Sequence, residues 1–276
     1  MTDTRPSIAE KRRRFHELHK DGCFVIPNPW DIGSARFLQG AGFKALATTS
    51  SGFAWSRGRP DGGVSRDVVL AHLHEMVAAT DLPVNADFES GFAADAAGVT
   101  ESVRLAIETG VAGLSIEDST GDSTRPLLDL DTAVERIRAA RNAIDKAGGD
   151  TLLVGRAECF FVGRPDLDET IRRLKAYSRA GADCLYAPGI RTPDEIRAVV
   201  AAVAPKPVNL LVGAPGELTV HDIAALGVRR VSLGGALARC GWGAVMRAAR
   251  LLAEQGRFDG FAGAAAGNEL NSLFRT

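Results

Sequence analysis

Two rhythms alternate along this chain. Short apolar or β-branched runs of strand length occur at residues 23–27, 45–50, 113–118, 151–158, 184–187, 207–212 and 230–233, and another begins at Pro83. Between them lie longer stretches whose apolar positions recur every three or four residues, the spacing of an amphipathic helix. A basic leading helix is predicted over 8–19, and others run to Gln39, over 66–79 behind Ser65 as N-cap, and from Thr100 to Gly110. Val134, Ile137, Ala140 and Ile144 share one face of the next, and further helices follow over 167–180, 221–226 and 236–255. Thr192-Pro193-Asp194-Glu195 is a capping box with proline at the first helical position, opening a helix to Ala204. Residues 51–64, rich in Gly and Arg, read as a loop. Gly42, Gly110, Gly181 and Gly227 each stand between a helix and the strand after it, where a left-handed C-terminal residue is needed. Eight strand–helix units in one chain predict an α/β fold, a (β/α)8 barrel occupying residues 1–276 as one domain. A doubly wound open sheet is the alternative, and the GxGxxG that its dinucleotide-binding form places after the first strand is absent.

Composition narrows the function classes. With 45% hydrophobic residues, 24% charged and a net charge of −1, the chain reads as a soluble globular protein with no nucleic-acid or membrane partner. Cys23, Cys159, Cys184 and Cys240 show no CxxC spacing, which points to free thiols and a reducing cytoplasm. Residues 1–20 are charged and helix-like, without a secretory apolar core, and no later apolar run is long enough to span a bilayer.

A barrel keeps its chemistry where the strands run out. The polar residues gathered there are Asn28 and Asp31, residues 50–53, Asp87 and Glu89, Glu117 and Asp118, Arg156 and Glu158, Asn209, and Ser232. Asp87 and Glu89, two apart, fall on one face of a strand end, and like charges so close are relieved by a cation. Hard oxygen donors suit Mg²⁺ or Mn²⁺. His16, His19, His72, His74 and His221 all fall on predicted outer helices, so the set is not a zinc site. Blander roles stand beside these: Asn28 and Asp31 as turn and cap residues, Asp61 as a turn residue, Arg156 as the partner of Glu158 or Glu117, and Cys159 as an inert packed thiol.

Ala86-Asp87-Phe88-Glu89-Ser90-Gly91-Phe92, Ser115-Ile116-Glu117-Asp118, Gly155-Arg156-Ala157-Glu158 and Arg230-Val231-Ser232-Leu233-Gly234 resemble, in order, the strand motifs of the isocitrate lyase and phosphoenolpyruvate mutase superfamily. The resemblance implies a Mg²⁺-dependent (or Mn²⁺-dependent) enzyme making or breaking a C–C or P–C bond beside a 2-oxo acid. It implies Asp87 as direct metal ligand, Glu89 and Glu117 holding the metal through water, and Asp61 completing the shell. Ser51, Gly52 and Phe53 would cradle substrate with backbone N–H groups, and Arg156 would clamp a carboxylate; Asn209 matches a lyase-branch asparagine if gaps are allowed. A homotetramer is implied too, with the last helix, 236–255, packed across to a neighbour ahead of Phe258 and Phe261.

The departures are as specific. The lyases' Lys-Cys-Gly-His loop after strand four is replaced by residues 119–126, Ser-Thr-Gly-Asp-Ser-Thr-Arg-Pro, and the Lys and Asn of the phosphonate branch are missing as well. Ala187-Pro188-Gly189 stands where the mutase has a histidine. The resulting expectation is a lyase-type enzyme on a small 2-oxo or 2-hydroxy dicarboxylic acid, by decarboxylation or cleavage of a 2-alkylmalate-like acid. A P–C bond mutase or hydrolase is one alternative, and a non-catalytic 2-oxo acid binding protein that keeps the metal is another.

Overall fold

The computed structural model describes residues 5–275, so the first four residues of the leading segment lie outside it. Eight strands form one parallel sheet: β1 (Phe24–Ile26), β2 (Leu46–Ala47), β3 (Val84–Asp87), β4 (Gly113–Glu117), β5 (Leu152–Arg156), β6 (Cys184–Tyr186), β7 (Val208–Leu211) and β8 (Arg230–Ser232). Their order, β1-β8-β7-β6-β5-β4-β3-β2, brings the two ends of the sheet round to each other, and the Ala47 N–H donates to the Pro27 carbonyl at 3.0 Å across the seam. This is the (β/α)8 barrel that the alternation predicts.

Pleating sends successive side chains to opposite faces. Val84, Ala86, Leu114, Ile116, Leu153, Leu185, Val208, Leu210 and Val231 point outward and pack under the helices in the main core. Their neighbours in sequence point inward. The amino-terminal end of the barrel is stoppered by α1 (Ile8–Leu18), whose Phe15 packs with Ile26, Ala45, Leu152 and Val154. A Cβ on Gly113 would stand 2.7 Å from the Phe15 ring, so only glycine admits that stopper.

The remaining helices through the eighth unit are α2 (Ile32–Gly40), α3 (Ser50–Ser56), α4 (Arg66–Ala79), α5 (Ala96–Glu108), α6 (Leu130–Lys146), α7 (Leu167–Arg179), α8 (Pro193–Val203), α9 (Val220–Ala225) and α10 (Ala236–Gln255). Gly42, Gly110, Gly181 and Gly227 all take positive φ, between 87° and 108°, as helix-ending glycines should. Three expectations are corrected. Residues 50–56 are a helix and not loop, because Thr49 caps it with its hydroxyl on the Gly52 N–H. Helix α5 begins at Ala96, since the Asp95 carboxylate caps it at the Gly98 N–H, leaving Thr100 inside the helix. His19 does not lie on the outside, but is buried at the barrel's amino-terminal end where α1 stops.

Asp118 is corrected as well. Glu117 faces into the barrel, so Asp118 must face out; it is 1% exposed and accepts from Arg173 Nη1 at 2.9 Å, Tyr177 Oη at 2.5 Å and the Glu158 N–H at 2.8 Å. It ties α7 to the ends of β4 and β5. Asp118→Ala leaves the Arg173 guanidinium with only the partly exposed Glu169 carboxylate, 2.7 Å from its Nε, and the buried Tyr177 hydroxyl without its acceptor, and about 3–5 kcal/mol of unfolding free energy should be lost. Denaturant titration of the two purified proteins measures this; a loss under about 1 kcal/mol, the size of a surface pair, contradicts the role.

Candidate active site

The carboxyl ends of the strands open into a cavity of about 580 Å³. Asp87 and Arg156, the last residues of β3 and β5, border one side of it, and Glu117, the last residue of β4, does not border it but stands against Arg156. The Asp87 backbone N–H donates to Thr48 Oγ1 at 2.9 Å, and its Oδ2 accepts from the Ser50 N–H at 3.0 Å, so β2 and the start of α3 fix this carboxylate twice. Its Oδ1 lies 3.2 Å from Arg156 Nη1, and Glu117 Oε2 lies 3.1 Å from the same nitrogen. Arg156 Nε donates to Glu158, and the guanidinium sits over the Tyr186 ring, 5.1 Å from its centroid.

Glu89 arrives differently from the expected strand pairing. β3 ends at Asp87, and the chain then bends through left-handed backbone at Glu89 (φ 47°), Gly91 (φ 84°) and Phe92 (φ 51°). Two non-glycine residues in that region store strain that the surroundings must hold. Arg136 of α6 holds it, donating to the carbonyls of Ser90 at 2.5 Å, Ala93 at 2.7 Å and Ala94 at 3.1 Å. Asp61, past α3, borders the cavity and accepts from the Gly62 N–H at 3.1 Å.

Negative charge exceeds positive here. Burial first, then the charges of Asp87 and Asp61, push the Glu89 carboxyl up to about 7, while Arg156 opposes them. Asp61 is raised by burial and by Asp87. Burial also raises Glu117 and Glu158 against the attraction of Arg156. Five carboxyl groups thus surround one guanidinium.

The donor chemistry fits a hard divalent cation: oxygen only, crowded, and short of positive charge. Asp87, Glu89 and Glu117, with Asp61, are the side chains that would hold it. As they stand, no three His, Cys, Asp or Glu side chains among the described residues converge at ligand spacing, and Arg156 lies between Asp87 and Glu117. The guanidinium occupies the position of neutralising charge.

Other expected site residues divide. Ser51 borders the cavity, its hydroxyl 3.2 Å from Thr49 Oγ1. Gly52 and Phe53 do not: a Cβ on Gly52 would meet Thr49 at 2.6 Å, and Phe53 is buried in a stack on His72 with ring centroids 3.7 Å apart. Asn209 does not border the cavity either; it is fully buried, donating to Ser232 Oγ at 2.9 Å and accepting from Arg230 Nε at 2.8 Å. Asn28 is a strut, bonded to the Thr48 carbonyl and to the Leu233 and Gly234 N–H groups, and Asp31 caps α2. Cys159 is 1% exposed with its thiol pushed up by burial, an inert group as expected.

Sequence reasoning passed over Thr48, Tyr186, Asn85 and Arg230, all of which border the cavity. Asn85 and Arg230 had a signal: each is polar and two residues before an inward group already singled out, Asp87 and Ser232.

The sequence model of the family described as phosphoenolpyruvate phosphomutase matches residues 15–253. A protein of Burkholderia cenocepacia J2315, solved as a candidate lyase/mutase, superposes with a TM-score of 0.94 at 48% identity, covering 98% of each chain. An uncharacterised Mycobacterium tuberculosis protein is 34% identical over 242 residues, 87% of this chain and 89% of its own length. An oxaloacetate decarboxylase of Paraburkholderia xenovorans is 30% identical over 230 residues, 80% of this chain and 74% of its own. The chain belongs to the phosphoenolpyruvate phosphomutase family, within the isocitrate lyase and phosphoenolpyruvate mutase superfamily. It is an enzyme of the lyase and mutase type found there.

The charge crowding has a measurable consequence without any metal. A carboxyl raised from 4.5 to about 7 on folding binds more protons folded than unfolded across that window, so stability falls as pH rises through it and levels off above. With EDTA present, Glu89→Gln should flatten this fall. Identical pH–stability curves for the two proteins would remove Glu89 from the crowded set.

Proposed function

We propose that this enzyme decarboxylates or cleaves a C–C bond in a small 2-oxo or 2-hydroxy dicarboxylic acid, with Mg²⁺ or Mn²⁺ held by Asp87, Glu89 and Glu117. The observation that carries this reading is the excess of carboxyl groups around Arg156 at the cavity wall. When bound, such an ion stabilises negative charge developing on a substrate oxygen. Arg156 then has a carboxylate to receive, since its fork suits one bidentately and the two partners of its Nη1, Asp87 and Glu117, are the ion's ligands. Asp61, held in the cavity with a raised carboxyl, exchanges a proton near neutral pH more readily than an ordinary aspartate. Ser51 contributes a hydroxyl from the first turn of α3. The four free thiols suit a cytoplasmic setting, and no helix among the described residues is long and apolar enough to cross a membrane.

Decarboxylation is favoured over isocitrate-type cleavage by the loop after β4. That loop is folded on itself and exposed: Thr120 N–H donates to the Pro126 carbonyl at 3.0 Å, and Thr124 holds the Asp122 carboxylate below its ordinary range. It contributes no residue to the cavity wall. A proton donor positioned for a departing carbon acid is worth about 10²–10⁴-fold. Purified protein with Mg²⁺ should therefore release pyruvate from oxaloacetate, and cleave a 2-alkylmalate, isocitrate or 2-methylisocitrate, each of which expels a carbon acid that must be protonated, at least 10²-fold more slowly. Asp87→Ala should abolish turnover with the fold intact by circular dichroism. Phosphonopyruvate as the preferred substrate in that panel would move the reading to P–C chemistry, and calorimetry without divalent-ion binding would end the metal assignment.

A homotetramer is proposed from the far end of the chain. Helix α10 has one buried residue, Ala238, while Trp242, Val245, Met246, Phe258 and Phe261 are exposed on and after it. An apolar face of that length is what a neighbouring subunit covers. Light scattering at micromolar concentration should give four chains; a monomer contradicts it.

A further inference from the structure

Beneath the mouth of the cavity the barrel interior is polar where barrels are ordinarily filled by branched apolar side chains. Arg230, on β8, is 2% exposed there. Its Nε donates to Asn209 Oδ1 at 2.8 Å, and its Nη1 lies 3.4 Å from both Asn85 Oδ1 and His19 Nε2. All three acceptors are neutral: His19 Nδ1 lies 2.7 Å from the Phe15 carbonyl, which leaves the lone pair of Nε2 for Arg230. No carboxylate pairs with this guanidinium, and its Nη2 donates to no protein acceptor, among the described residues. A charge buried without a counter-ion is costly, and hydrogen bonds to neutral groups do not neutralise it. The cavity reaches this depth, since Ala47, Asn85, Ser115 and Arg230 are part of its wall.

The cavity is thus bipolar, rich in carboxylates at one side of its mouth and cationic at its floor. We propose that the floor is an anion subsite built on Arg230, which takes one carboxylate of the substrate or, without substrate, a small monovalent anion. The assignment rests on the proposed 2-oxo or 2-hydroxy dicarboxylate reading for the identity of the ligand, but the subsite itself does not require the metal. It explains why Arg230 is caged by neutral acceptors only: a resident carboxylate would cancel the charge that a ligand is to meet. Asn85, Asn209 and His19 position the guanidinium and leave one amino group unengaged.

The test separates this subsite from the metal. Oxalate is titrated calorimetrically into metal-free protein in EDTA, using the wild type, Arg230→Lys and Arg230→Met, and wild-type crystals are soaked in bromide. Measurable metal-free oxalate binding is expected, weakened at least tenfold in Arg230→Met and partly kept in Arg230→Lys, with bromide within hydrogen-bonding reach of Arg230 Nη2. Unchanged oxalate affinity in Arg230→Met overturns the proposal whatever the bromide does, and so does a wild type that binds neither anion without metal. Should Arg230→Met fail to fold, the wild-type bromide site decides, and its absence from the floor overturns the proposal. Loss of divalent-ion binding with anion binding intact would instead count against the metal reading alone.

Discussion

The site depends on a surplus of like charge. Strands β3, β4 and β5 end together, each end carries a carboxylate or the one arginine between them, and closure of the barrel forces these groups within hydrogen-bonding distance. Burial strengthens every term in that balance, because partial removal from water raises the cost of ionisation and the strength of each remaining attraction. One guanidinium cannot neutralise five carboxyls. A second centre of positive charge would complete the arrangement, and the proposed divalent ion is one.

Maintaining that crowding draws on residues outside the charged set. Thr48 and the first N–H of α3 fix Asp87, Arg136 clamps three carbonyls of the left-handed bend that carries Glu89, and Asp118 anchors α7 behind the ends of β4 and β5. Each of these holds backbone or side chain by hydrogen bonds to groups that would otherwise be buried and unsatisfied. Precision in the site therefore comes from the outer layer of the barrel as much as from the inner one. The loop after β4 is the exception, exposed, bonded chiefly to itself and contributing no residue to the cavity wall.

Local patterning determined much of this protein. Apolar runs alternating with helical spacing, closed by glycines at helix ends, sufficed for the barrel, because strand and helix periods and the left-handed C-terminal residue are properties of short segments. The ordered motifs at the ends of β3, β4, β5 and β8 sufficed for the superfamily. The tertiary structure alone decided which residues share the cavity. Glu117 and Asp118 are neighbours, and only closure of the barrel settles that the first faces Arg156 and the second faces α7. Thr49, an N-cap, turns a glycine-rich stretch into helix and withdraws Gly52 and Phe53 into packing. Asn209 and Arg230 became a buried pair, and His19 came beneath them, because β7 and β8 lie side by side above the end of α1. Such neighbours lie far apart in the chain, and no local period records them.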